Sequence, residues 1–233
     1  MNTRNRRRVE MGTRVLASST AHPDASPGFV AAVGRLTELL QRAAELDTQQ
    51  RDGQITVRSA TARKRDLRRQ MRRAHLEHLG QVARAAADEV PELARKFILS
   101  RKATPYLAFR TAARGMQAEA LGQKDVLVKH GLTDTVLDDL AKALDEFDQA
   151  LAQGAEGRRA HVGASAELDS VADEIVQIVR VLDGLNRVRF EHDAELMAAW
   201  ESASNVFGGP RVTGGKTEPG EIPAPGGEQQ PAA

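Results

Sequence analysis

The chain has 233 residues, with 33 basic and 32 acidic side chains, a formal net charge of +1 and no cysteine. The lack of cysteine excludes disulfide scaffolds, thiolate metal sites and cysteine nucleophiles. Six Phe, one Tyr and one Trp are few aromatic residues for a large ligand pocket. No apolar run is long enough to span a bilayer, and the basic residues 1–8 are not followed by an apolar segment. We therefore expect a cytoplasmic protein that does not enter the membrane.

Proline positions divide the chain into predicted helices. No proline lies between Pro27 and Pro91, or between Pro105 and Pro210, and both intervals are rich in Ala, Leu, Arg and Glu. Proline interrupts helices whereas these residues favour them, and no alternating β-branched or aromatic run indicates a strand. The fold class is therefore all-α. In chain order, the sequence predicts helices at 3–21, 28–88, 92–100, 106–130 and 134–204.

The two longest predicted helices would measure roughly 90 and 105 Å at 1.5 Å per residue. Both carry apolar residues at alternating spacings of three and four. In helix 28–88 the stripe consists of Val33, Leu36, Leu40, Ala43, Val57, Ala60, Leu67, Met71 and Ala74. In helix 134–204 it begins at Leu137 and continues to Leu196 and Ala199. Neither stripe keeps a strict heptad, so the pattern indicates an elongated antiparallel helical bundle, with the shorter helices packed against it, rather than a coiled-coil zipper between two chains.

Composition changes at residue 207. Residues 207–233 contain seven of the 19 glycines and five of the nine prolines. Such a segment buries too little apolar surface to offset the entropy of ordering it. We therefore expect one elongated domain at 1–206 and a disordered tail at 207–233.

The domain itself has a possible internal duplication, 1–89 against 105–204. A shift of 104 positions aligns Gly53 with Gly157 and Ala60 with Ala164, and self-similarity at a fixed period is the trace of duplication. A pseudo-twofold axis would then make the long helices antiparallel, crossing where both carry small residues, at 53–62 and 154–166. Small side chains let helix backbones approach closely. The alternative is that one or both helices kink or break there.

Charge is unevenly distributed: residues 1–104 carry 21 basic and 11 acidic side chains, and the remainder carries 12 and 21. The densest basic stretch lies in helix 28–88 and consists of Arg58, Arg63, Lys64, Arg65, Arg68, Arg69, Arg72 and Arg73. One interpretation is a surface that binds nucleic acid phosphates. The favoured one is a solvated face, or a face paired with the acidic residues at 145–156, because no aromatic residues are interleaved and no short recognition helix follows.

The histidines do not form a recognisable metal motif. His75 and His78 can share a helix face, but no further ligands lie nearby in sequence, so no metal or other cofactor is predicted. His161 lies on the apolar stripe near Arg158 and Ser165, which predicts a buried polar group at the small-residue crossing. A hydrogen-bonded structural histidine explains this pattern better than catalysis does.

Together these patterns favour a non-enzymatic helical interaction or scaffold protein whose partner is another protein or a second copy of the chain. Two alternatives remain open. One is a nucleic-acid-binding protein that uses the arginine-rich helix 58–73. The other is an enzyme or ligand- or metal-binding bundle with its site at the crossing. No catalytic residue is assigned.

Overall fold

The computed structural model describes residues 1–99 and 105–206, and within these ranges it contains helices and no strand. The all-α class is therefore confirmed. The helices are α1 (Thr3–Ala21), α2 (Pro27–Gln70), α3 (Glu77–Ala85), α4 (Leu93–Lys96), α5 (Tyr106–Gly122), α6 (Lys124–Lys129), α7 (Asp134–Arg189) and α8 (Ala194–Ser204). The predicted disordered tail at 207–233 lies outside the described residues.

The long helices α2 and α7 run antiparallel, as predicted. Arg35 binds Glu174, with 2.7 Å between Nη2 and Oε2, and Arg42 binds Glu167, with 2.6 Å between Nη2 and Oε1. Farther along α2, Arg63 binds Glu146. Residue numbers rise along α2 as they fall along α7, so the two helices keep one register across the whole pair. The 56 residues of α7 span about 84 Å.

Two predicted helices are divided in the structure. The predicted helix 106–130 is interrupted at Gln123, between α5 and α6. The predicted helix 134–204 ends at Arg189, because the Asp193 carboxylate accepts hydrogen bonds from the backbone N–H groups of Glu195 and Leu196 and starts α8 instead. The chain turns there, so that Trp200 of α8 is 1% exposed and donates from Nε1 to Asp183.

The predicted helix 28–88 is continuous but not uniform. A turn of π-helix, Met71–Leu76, joins α2 to α3, and a 3₁₀ turn, Ala86–Asp88, follows α3. A π turn accommodates one more residue than an α turn, so it rotates the following side chains. Ala74, predicted in the apolar stripe, is therefore exposed, and Leu76 is buried in its place.

The two long helices cross at Gly53 and Gly157 without a break. A Cβ added at Gly53 would lie 2.8 Å from the carbonyl oxygen of Gly157 and 2.8 Å from the backbone nitrogen of His161. The helices are therefore in backbone contact, and only glycine fits. Both helices remain helical through these positions, so the alternative of a break at the crossing is wrong.

Two separate apolar clusters lie on either side of this crossing. The first, which we call the α1 end, is formed by α1, the first half of α2, the second half of α7 and α8. The second, which we call the α5 end, is formed by the last turn of α2, α3 to α6 and the first half of α7. The protein is thus two small bundles joined by one continuous helix pair.

Candidate functional site

The predicted basic stretch divides into two sets by helical position. Five of its members are exposed, and four of these lie on the side of α2 and the π turn that faces away from α7: Arg58, Arg65, Arg69 and Arg73. At 100° per residue they fall within an arc of about 80°, opposite the buried Ala60, Leu67 and Met71. We call these four residues the arginine face, and they extend over roughly 20 Å of helix.

The other four cations face neighbouring helices. Arg63 binds Glu146 of α7. Lys64 Nζ lies 5.2 Å from the centre of the Tyr106 ring, and Arg68 lies 5.9 Å from the same ring and 5.3 Å from the Phe109 ring. Arg72 is half-buried. Cation–π contacts of this kind connect α2 to α5.

Tyr106 is a member of this site that sequence reasoning missed. Lys64 shares the helical phase of the buried Ala60 and Leu67, and this phase was a usable signal that Lys64 faces a neighbouring helix. Gly154 makes room for it, since a Cβ there would lie 3.2 Å from Lys64 Nζ.

Of the two arrangements expected for the basic stretch, pairing with residues 145–156 is present at Arg63, which binds Glu146, whereas the arginine face is solvent-exposed. Arg65 Nε and Arg69 Nη2 lie 3.6 and 3.9 Å from Asp66 Oδ1 on the same helix. Both distances are long for ion pairs, and all three side chains are exposed. The carboxylates of Asp145 and Asp148 are instead bound by α5, through the arginines at 110 and 114.

The ionised carboxylate of Asp148 forms ion pairs with two arginines of α5. Burial raises the pKa of its carboxyl group, but hydrogen bonds from Arg110 and Arg114 outweigh that effect and hold the pKa below its usual value. The arginine face therefore receives no charge compensation from this carboxylate.

A cleft of about 260 Å³ separates α2 from the start of α5. It is lined by Arg65, Arg68, Arg69, Arg72 and Tyr106. Guanidinium groups bind carboxylates and phosphates through paired hydrogen bonds. The arginine face and this cleft together place several guanidinium groups on one side of the molecule.

The predicted polar group at the crossing is only partly present. His161 Nδ1 lies 3.1 Å from the carbonyl oxygen of Gln50, and because a carbonyl only accepts, Nδ1 carries the proton. Gln50 Nε2 donates to Ser165 Oγ at 2.6 Å, and Ser165 donates to the His161 carbonyl at 2.7 Å. Arg158 is exposed rather than buried, because its position on α7 points away from α2. This closed set of bonds joins α2 to α7.

His75 lies in a second cleft, on the π turn. It is 8% exposed, and its Nδ1 atom is buried without a hydrogen-bond partner. Burial lowers the pKa of the imidazole, and the nearby Asp139 opposes this effect. The cleft, about 420 Å³, is also lined by Arg63, Lys142 and Glu146. His75 therefore contributes a neutral imidazole at pH 7.

Within residues 1–99 and 105–206, no set of three or more His, Asp or Glu side chains is arranged to hold a metal ion. In the same ranges, no helix combines the length and the apolar character needed to cross a bilayer. Compared with protein-family models, curated proteins and solved structures, the chain has no significant match.

Proposed function

We propose that the protein is a non-enzymatic helical interaction or scaffold protein, and that it engages its partner through the arginine face of α2. The observation that supports this function is the exposure of these guanidinium groups on a side of α2 that α7 does not neutralise. Neither Arg58 nor Arg73 has a hydrogen bond or ion pair to another described residue. Four arginines on one exposed face are a docking surface for anionic groups.

The architecture suits this role because the surface is rigidly mounted. α2 is uninterrupted from Pro27 to Gln70 and is in contact with α7 on both sides of the crossing. A surface on such a helix keeps its orientation relative to both ends of the molecule, which is what a scaffold requires. Sites on rigid elements are also defined more closely than sites on loops.

The test is a charge reversal of the arginine face in cells. The variant R58E/R65E/R69E/R73E leaves Arg63, Lys64, Arg68 and Arg72 in place, so the contacts between helices are retained. The matched control is R4E/R6E/R7E, which reverses three exposed arginines of α1. Tagged chains are cross-linked in the source cells, purified, and their cross-linked proteins identified by mass spectrometry.

We expect a defined set of cross-linked proteins to be lost from the arginine-face variant and retained by the α1 control. Equal recovery from all three chains would contradict the proposal. Circular dichroism must give the same helix content for each variant.

A second candidate function is nucleic acid binding, favoured by the spacing of the same arginines along about 20 Å of one helix face. If all four contacted phosphates, the logarithm of affinity for duplex DNA would fall with the logarithm of salt concentration with a slope of about −3.6. A gel shift with a 30-base-pair duplex and a 30-nucleotide RNA, at 20 and 150 mM salt, measures this. A salt-sensitive shift that R58E/R65E/R69E/R73E abolishes would favour nucleic acid over a protein partner.

A further inference from the structure

The two ends of the molecule are related by a shift of 104 residues between α2 and α7. Eight buried residues of α2 align with eight buried residues of α7, and the crossing glycines are one of these pairs. The α2 set is Leu36, Leu39, Ala43, Leu46, Gly53, Ala60, Leu67 and Met71. The α7 set is Leu140, Ala143, Phe147, Ala150, Gly157, Ala164, Val171 and Ile175.

The same shift relates two ion pairs between α2 and α7, and it places the acidic residue of one pair where the other pair has its basic residue. The pair Arg42–Glu167 maps onto Glu146–Arg63, so the arginine of α2 at the α1 end becomes a glutamate of α7 at the α5 end. Equivalent positions of the two ends can therefore be compared directly.

By this comparison two members of the arginine face correspond to acidic residues of α7, whereas Arg58 and Arg73 align with Val162 and Gln177. Arg65 aligns with Asp169, and Arg69 aligns with Asp173. At the α1 end, residues of α1 contact these two aspartates, which stay exposed. Asn5 Nδ2 donates to Asp169 Oδ1 at 2.5 Å, and Arg8 forms an ion pair with Asp173. At this end an arginine of α1 thus pairs with Asp173, and an asparagine amide of α1 binds Asp169.

The helix equivalent to α1 is α5, and α5 does not neutralise the arginine face. The residues of α5 that align with Asn2, Asn5 and Arg8 are Tyr106, Phe109 and Ala112, and none of these carries a carboxylate. The charged residues of α5 that lie nearby, Arg110 and Arg114, bind Asp148 of α7 instead. Within the described residues, the carboxylate within 4 Å of Arg65 and Arg69 is that of Asp66 on their own helix. The cleft of about 260 Å³ lies beside them.

We propose that an acidic helix of a protein partner binds across the arginine face, beside α5, with its carboxylates on Arg65 and Arg69. This inference rests on the proposed function and names the chemistry of the partner. The partner's carboxylates would then form ion pairs with Arg65 and Arg69, as Arg8 of α1 does with Asp173.

A protein segment fits this face better than a nucleic acid does. The arginine face has a carboxylate beside it, that of Asp66 on the same helix, 3.6 Å from Arg65 and 3.9 Å from Arg69. A duplex presents a negative charge about every 1.7 Å of its length and would meet this carboxylate too. A helix can place its acidic residues on the arginines alone.

The probe for this proposal is a peptide derived from α1. It has the sequence of residues 2–21 with the substitutions R4E/N5E/R6E/R7E/R8E/R14E, which give an acidic helix with carboxylates at the positions where α1 contacts Asp169 and Asp173. The peptide with the unchanged basic sequence is the matched control, and a 30-base-pair duplex is the third probe. Fluorescence anisotropy at 20 and 150 mM salt measures their binding to the full chain, to R65E/R69E and to R4E/R6E/R7E.

The expected result is salt-sensitive binding of the acidic peptide that is at least tenfold weaker for R65E/R69E and unchanged for R4E/R6E/R7E. The basic peptide should not bind. Equal binding of the acidic peptide to all three chains, or no binding at 20 mM salt, would overturn the proposal. Duplex binding that depends on Arg65 and Arg69, without peptide binding, would overturn it in favour of nucleic acid.

The outcomes also separate this inference from the proposed function. If R58E/R65E/R69E/R73E loses its cellular partners while the acidic peptide fails to bind, the interaction surface stands and the acidic helix is wrong. If the peptide binds as expected while cross-linked proteins are unchanged, the arginine face binds acidic helices but the proposed cellular function is wrong.

Discussion

At the residue scale, the crossing of α2 and α7 depends on two glycines. Gly53 and Gly157 are buried against each other's backbone, and an added Cβ at Gly157 would lie 2.9 Å from the Gly53 carbonyl oxygen and 2.9 Å from Thr56 Cβ. Glycine in a helix interior costs about 0.5–1 kcal/mol relative to alanine. This cost is offset by the close contact between the helices, which the flanking ion pairs at Arg42 and Arg63 keep in register.

We predict that Gly53→Ala destabilises the protein, although alanine is the better helix former. The new Cβ would meet backbone atoms that cannot move without separating the helices, and such overpacking costs about 1–3 kcal/mol. The measurement is the free energy of unfolding from urea denaturation. The matched control is Gly163→Ala in α7, where an added Cβ meets no atom within 4 Å.

The control should gain up to about 1 kcal/mol of stability from helix propensity. If Gly53→Ala is also stabilising, the helices are not held in close contact at the crossing.

The residues at the crossing illustrate what sequence reasoning reaches at this scale. The small residues at 53–62 and 154–166 located the crossing because side-chain volume is a property of the sequence alone. The burial of each polar side chain cannot be read from the sequence in this way, because it depends on how the two helices are rotated about their axes. His161 and Ser165 therefore face Gln50 of α2, whereas Arg158, only three residues from His161, is exposed.

At the element scale, the π turn at Met71–Leu76 acts as a one-residue insertion. The buried residues Leu67, Met71, Leu76, Leu79 and Ala83 are spaced by four, five, three and four. Removal of one residue between Met71 and Leu76 would change the five to a four and restore the ordinary helical period. We choose His75 for removal because its buried Nδ1 atom has no hydrogen-bond partner, so its loss leaves no side-chain partner unpaired at that atom.

We predict that deletion of His75 leaves the α5 end folded, with a free energy of unfolding within about 1 kcal/mol of the unchanged protein. The deletion converts the π turn to an α turn and removes an unsatisfied buried polar group, which compensates for lost contacts. Circular dichroism and urea denaturation measure the result.

The control is deletion of Ala62, in a regular part of α2. It rotates one side of the helix by about 100° relative to the other and turns apolar residues to solvent, so the loss should be several kcal/mol. If both deletions unfold the protein equally, the π turn is not a removable insertion.

The sequence predicts that the chain is helical, but it predicts only some of the positions at which the helices are interrupted. The proline-free intervals gave the long helices because proline is the strongest local breaker. The turn at Phe190–Asp193 has no proline or glycine and is set by the Asp193 cap and by burial of Trp200. The π turn likewise follows from tertiary packing, since Ala74 fits the apolar period better than Leu76 does. Local propensity therefore could not locate either one.

At the scale of the whole molecule, the two apolar clusters share no residue. Between Leu46 and Leu67 of α2, the buried positions are Gly53 and Ala60, which contribute little apolar area. The hydrophobic free energy is thus concentrated at the two ends, at about 25 cal/mol for each Å² buried. The predicted internal duplication remains a prediction, and the correspondence of buried positions and exchanged ion pairs supports it.

We predict that the two ends lose structure separately. Phe109 is fully buried at the α5 end, where its ring lies 5.7 Å from that of Phe147, and Phe109→Ala should cost about 3–5 kcal/mol of local stability. Hydrogen exchange measured by mass spectrometry should show faster exchange in α3, α5 and the first half of α7. Protection of α1 and α8 should be unchanged, because the glycine crossing transmits little packing energy.

Trp200→Ala is the reciprocal change, since Trp200 is the large aromatic residue at the α1 end that is 1% exposed. It should accelerate exchange in α1 and α8 and leave α5 protected. If either substitution accelerates exchange equally at both ends, the crossing couples them into one cooperative unit. In that case binding at the arginine face would be felt at the α1 end as well, because α2 passes through both clusters and would carry the change in stability between them.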